Sequence, residues 1–128
     1  MSSEAKVIVL LVEDDASAAR TLAALLREDG YEVEVVLDGA AAIVRLGRPP
    51  TPDVLVVDYK LPHADGLAVA SYGQALPTPP HVVMVTSYPE VVARLPLRLD
   101  PPIVLLAKPL VYDELTRELE RIRALAAV

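Results

Sequence analysis

The chain has no cysteine, which excludes disulfides, zinc thiolates and cysteine catalysis. It has two histidines, His63 and His81, too few for a histidine-rich metal site. It has no long apolar run. Although 53% of its residues are apolar, the longest uninterrupted stretch is Val7–Val12. A membrane span needs roughly 20 such residues, so no membrane association is expected. It has no Lys/Arg block, and its formal net charge is −6, which disfavours direct nucleic-acid binding. Met1–Lys6 lacks the basic start and apolar stretch of a signal peptide, so a cytoplasmic protein is expected. No Gly-rich phosphate loop or substrate-binding cap region is apparent, which argues against a magnesium phosphohydrolase with a small substrate. Lysine is scarce too. Nine of the twelve cations are Arg, and the three Lys are Lys6, Lys60 and Lys108. Two of those three lie near acidic signals, where a compact ammonium can contact one oxygen of a small anion.

Apolar runs alternate with amphipathic stretches, the pattern of an α/β domain with a parallel sheet. Strands are expected at about Val7–Val12, Glu32–Val36, Val54–Val57, Val82–Val85 and Ile103–Ala107. Helices are expected at about Ala16–Glu28, with Gly30 as its C-cap, and at Ala40–Leu46. A third opens at Asp65-Gly66 and reaches about Ala75. A short fourth lies between Pro89 and Pro96, and the last covers Tyr112–Ala126 with a stripe of Leu115, Leu119, Ile122 and Ala126. Pro77–Pro80 reads as a rigid turn. The alternation Glu32, Val33, Glu34, Val35 marks the second strand as an exposed edge. Five such βα units favour a doubly wound five-stranded sheet of order 2-1-3-4-5 with right-handed crossovers. Its ligand site is expected where the order reverses, beyond strands one and three.

Those two strands end at acids. Glu13-Asp14-Asp15 follows the first, Asp58 the third, Thr86-Ser87 the fourth and Lys108-Pro109 the fifth. An acid before a helix can simply cap it, and Asp58 alone can be a solvated loop residue. One cap needs one carboxylate, however, and there are three. Carboxylates from adjacent strands can bind magnesium with waters and phosphate oxygens. A carboxylate is also an adequate nucleophile for forming an acyl phosphate. Thr86 and Lys108, each ordinary by itself, would then contact phosphoryl oxygens, since phosphoryl transfer needs mostly positioning and charge stabilisation.

The chain resembles the receiver domains of two-component response regulators through V-E-D-D at Val12–Asp15, D-Y-K-L-P-H-A-D-G at Asp58–Gly66, V-T-S at Val85–Ser87 and A-K-P-L at Ala107–Leu110. The resemblance covers about Lys6 to Ala126. It implies one flavodoxin-like three-layer receiver domain over residues 1–128, with its core at about 6–126. It implies Asp58 as phosphoacceptor, fed by a histidine kinase or histidine phosphotransfer protein, with Thr86 and Lys108 assisting. Magnesium, with manganese as the alternative ion, would be held by Glu13, Asp14, Asp58 and the Lys60 backbone carbonyl. Asp15 matches a variable position and ranks lower.

Lys60 and Tyr88 match positions that flank the path of the attacking water, so slow self-dephosphorylation is expected. Leu105 stands where receivers often carry a switch aromatic. Pro96, Pro101 and Pro102 stiffen the segment around the fourth helix. The expected role is a stand-alone switch or phosphorelay intermediate, without free-substrate turnover. It would be a monomer or weak homodimer acting on an unknown downstream protein. The alternatives are a receiver-like interaction module that is not phosphorylated, or a receiver fragment of a larger regulator or hybrid kinase.

Overall fold

The structure, a computed structural model, describes residues 6–95 and 103–126. Its strands are β1 (Ile8–Val12), β2 (Glu32–Val36), β3 (Val54–Asp58), β4 (His81–Thr86) and β5 (Val104–Ala107). Its helices are α1 (Ala16–Glu28), α2 (Gly39–Leu46), α3 (Gly66–Gln74), α4 (Pro89–Ala93) and α5 (Tyr112–Ala126). All strand pairs are parallel, in the order β2-β1-β3-β4-β5. This is the doubly wound architecture expected from the alternation. Among the described residues no helix is long and apolar enough to cross a membrane.

Both faces of the inner strands are covered, which is why they read as continuous apolar runs. Alternate residues feed two cores. Val9, Leu11 and Val56 face the layer of α1 and α5, with Leu26, Leu115 and Leu119. Leu10, Val57 and Met84 face the layer of α2, α3 and α4, with Leu46, Val69 and Val92. Each such side chain, fully buried, contributes about 1.5–3 kcal/mol. The expected stripe of α5 is buried at Leu115, Leu119 and Ile122. The side chain of Ala126 and the proline segment Pro96–Pro102 lie outside the described residues.

The starts of α1, α2 and α3 obey one rule. Asp15, Asp38 and Asp65 each accept a backbone N–H three residues on, from Ala18 at 3.0 Å, Ala41 at 2.7 Å and Ala68 at 2.9 Å. Each satisfies an N–H that has no partner inside its helix. At the end of α1 the cap is Asp29, one residue before the expected Gly30. Gly30 follows at φ +96°, its N–H on Arg27 O and the Tyr31 N–H on Leu26 O, both at 3.1 Å. That pair of bonds is a Schellman motif, and it needs a left-handed residue after the cap.

Several boundaries move. Val7 and Ile103 fall outside the strands, His81 joins β4, and α2 starts at Gly39. α3 ends at Gln74 with Ala75 as its cap. α4 stops at Ala93, before Pro96. Its last turn tightens, with Arg94 N–H on Val91 O and Leu95 N–H on Val92 O. Asp58 and Thr86 are themselves the last strand residues, paired with Val85 and Ala107. The ladder fixes their backbone, so both side chains leave the sheet from a rigid edge.

Candidate functional site

The order of the sheet reverses at β1 and β3, and their C-terminal ends bring three acids together. One carboxylate oxygen each from Glu13, Asp14 and Asp58 lies within 4.8 Å of the others. Asp15 is absent from this group because its side chain caps α1. The choice between cap and metal ligand that three adjacent acids left open is thus divided among them. Asp15 takes the cap, and Glu13 and Asp14 face Asp58. Glu13 is further held by its Oε2, which accepts the Asp15 N–H at 3.2 Å.

Asp58 is 5% exposed. Lys108 Nζ stands 3.1 Å from its Oδ2, an ion-pair distance. No donor reaches that oxygen in hydrogen-bond geometry, however, and it is the buried side-chain atom without such a partner among the described residues. A buried carboxylate oxygen of this kind is costly unless something else binds it. Burial pushes the Glu13 carboxyl up to about 7, and the neighbouring Asp58 carboxylate adds to the rise. Three crowded carboxylates with one ammonium leave a surplus of negative charge. A hard divalent cation with oxygen ligands fits that donor set.

Thr86 is buried at the end of β4, and its Oγ1 accepts the Tyr88 N–H at 3.0 Å. The hydroxyl hydrogen can still rotate about its bond to donate elsewhere. Lys108 is tied to the same edge, its N–H on Thr86 O at 2.9 Å, ahead of a cis Lys108–Pro109 bond. Lys60 and Tyr88 meet above this edge, with Nζ 5.7 Å from the ring centroid. They line a recess of about 150 Å³ that also touches Thr86 and Lys108. On the other side, a groove of about 620 Å³ leads away from Asp58. Ala18, Leu22 and Leu25 of α1 line one wall, and Pro109, Leu110 and Tyr112 the other.

Leu105 is half-buried and packs with the layer of α2, α3 and α4. Glu13, Asp14, Asp58, Lys60, Thr86, Tyr88, Lys108 and Leu105 therefore lie at or behind one sheet edge. Sequence reasoning missed the close backbone approaches at Gly39 and Gly66. A methyl group on either would strike backbone around the loop that leaves Asp58. The signals are the Asp-Gly pairs at 38–39 and 65–66, each at the start of a helix.

The model of the response regulator receiver domain matches residues 9–120. The sensory transduction protein RegX3 of Mycobacterium bovis is 42% identical over 79 residues, which is 62% of this chain and 34% of that protein. The chain thus spans about a third of the length of the curated relatives it matches. Among solved structures, a putative response regulator from Chloroflexus aurantiacus is 27% identical. It has a TM-score of 0.77 and covers 94% of this chain and 99% of that one. A CheY-like response regulator receiver domain from Methylobacillus flagellatus is 26% identical, with a TM-score of 0.73, covering 92% and 99%.

Proposed function

The chain belongs to the response regulator receiver family, a module of two-component signalling, and on that premise we propose that Asp58 accepts a phosphoryl group from a phosphohistidine. The observation that carries this reading is the buried Asp58 Oδ2, which faces two further carboxylates and Lys108 but has no hydrogen-bond donor. The donor is a histidine kinase or histidine phosphotransfer protein, and the setting is the cytoplasm. The groove between α1 and the segment after β5 offers an approach to Asp58.

The Asp58 carboxylate attacks phosphorus. An O–P bond forms as the N–P bond breaks, and the leaving imidazole nitrogen keeps the electron pair. Lys108 pairs with a phosphoryl oxygen from its place 3.1 Å from Asp58. Thr86 turns its hydroxyl hydrogen toward a second oxygen. Glu13, Asp14, Asp58 and the Lys60 carbonyl would hold magnesium, which neutralises charge on the phosphoryl group when bound. Lys60 and Tyr88, in contact over the adjacent recess, hinder the water that would release the phosphoryl group.

The test is incubation with magnesium and acetyl phosphate or phosphoramidate, read by intact mass. Wild type gains one phosphoryl group and Asp58→Ala gains none. No gain on wild type overturns the reading in favour of a module that is not phosphorylated, and an equal gain on the variant overturns Asp58 as the acceptor.

A further inference from the structure

Glycines hold the loop between β3 and α3, residues 59–65, from two sides. The Gly66 N–H donates to Tyr59 O at 2.8 Å, and a methyl group on Gly66 would fall 2.2 Å from Asp58 O. From the other side, Gly39 at the start of α2 donates its N–H to Pro62 O at 3.1 Å. A methyl group on Gly39 would stand 2.0 Å from Ala64 O and 2.7 Å from both Ala64 C and Cβ. None of these atoms can swing away by a rotamer change. Between the two clasps, His63 sits at φ +66°, a backbone region disfavoured for any residue with a side chain. Such a conformation persists where its surroundings over-determine it, and here the two glycines do so.

If Gly39 gained a side chain, one partner would have to move. α2 is anchored by Ala42, Arg45 and Leu46, all buried, and by the Asp38 cap. The loop exposes Lys60, Pro62 and His63. The loop therefore yields, and the helix does not.

We propose that Gly39 is a positioning residue for the acidic site. Its bare Cα lets the start of α2 set the path of the loop that leaves Asp58 and carries Lys60. The consequence for metal rests on the phosphoacceptor reading, through the Lys60 carbonyl. The consequence for loop position does not.

The experiment compares Gly39→Ala with Gly73→Ala, where the nearest atom to an added methyl group is Pro80 Cγ at 3.4 Å. Magnesium affinity is read by tyrosine fluorescence, since Tyr59 adjoins Asp58 and the chain has no tryptophan. Gly39→Ala binds about tenfold more weakly at unchanged helix content, as displaced supporting shells of metal sites do, while Gly73→Ala stays near wild type. A second readout needs no metal: the Lys60 amide resonance moves in Gly39→Ala and stays put in Gly73→Ala. Ala64→Val presses the same contact from the loop side, and it decides the matter where Gly39→Ala does not fold. A folded variant of this pair with wild-type magnesium affinity, or with an unmoved Lys60 amide, overturns the proposal. If wild type binds no magnesium, the phosphoacceptor reading falls. The Lys60 amide then decides alone whether Gly39 positions the loop.

Discussion

Lys108 reaches Asp58 across the end of an intervening strand: its Nζ is 3.1 Å from the Asp58 Oδ2, and β4 lies between β5 and β3. One ammonium thus serves a cluster of three carboxylates, and the balance favours function over stability. Asp58→Asn removes one of the crowded charges while keeping the shape. Without magnesium it should raise stability by about 1 kcal/mol, or about 3–5 °C in Tm. Adding magnesium should raise the Tm of wild type and close the gap, because a ligand of the folded state stabilises it by mass action. Thermal melts with and without the ion check both parts.

The contact between Lys60 and Tyr88 gives a second expectation. A cation over an exposed ring contributes about 0.5–1 kcal/mol, and on the phosphoacceptor proposal the two side chains also stand in the path of water. Replacing both by Ala keeps the Lys60 carbonyl. The phosphorylated double variant should lose its phosphoryl group about threefold to tenfold faster, on the scale where 1.4 kcal/mol is tenfold in rate. Intact mass followed over time measures it, and an unchanged rate would sink the idea.

Arg45 is 4% exposed, which is unusual for arginine. Its guanidinium bonds Glu34 Oε2, Arg48 O and Pro50 O, each at 2.8 Å. Arg45→Met fills much of the volume but leaves both carbonyls without their donor, at a cost of about 2–3 kcal/mol. The Arg45 hydrogen bond holds the Glu34 carboxyl below its ordinary value of 4.5. A depressed carboxylate contributes stability above its unfolded pKa and loses it as pH falls through the folded one. The gap between wild type and variant should therefore be level near neutral pH and narrow below about pH 4.5. Urea denaturation at several pH values tests the trend.

Gly30 separates strain from crowding. At φ +96° an added methyl group would meet only Arg123 Nη2, at 3.8 Å. Gly30→Ala should cost about 1–2 kcal/mol from the backbone alone. Gly30→Asn, which tolerates this region better, should cost less. A denaturant midpoint for each variant checks the order.

The sheet was legible because its determinants are local: Val-rich runs, periodic helices and polar breaks. The place of the acids was legible because topology puts the ends of adjacent strands together. The division of labour among Glu13, Asp14 and Asp15 was not. Three consecutive acids are equivalent in pattern, and only the backbone turn into α1 decides which one caps. Arg45 reads as an ordinary cation of an amphipathic helix, since nothing near it in sequence announces the two carbonyls that bury it. Gly39 reads as a turn residue. Its close approach to Ala64 joins two separate βα units, and such contacts leave no periodic trace in the sequence.

The edge strand β2 carries a last consequence. Glu32 and Glu34 are exposed on it, and Val33 between them is buried. A second copy extending the sheet through its own β2 would lie about 4.8 Å away. Aligned antiparallel about Val33, it would set Glu32 of each copy beside Glu34 of the other, in chains that each already carry a net charge of −6. The acids that mark this strand as outermost also disfavour edge-to-edge pairing through it.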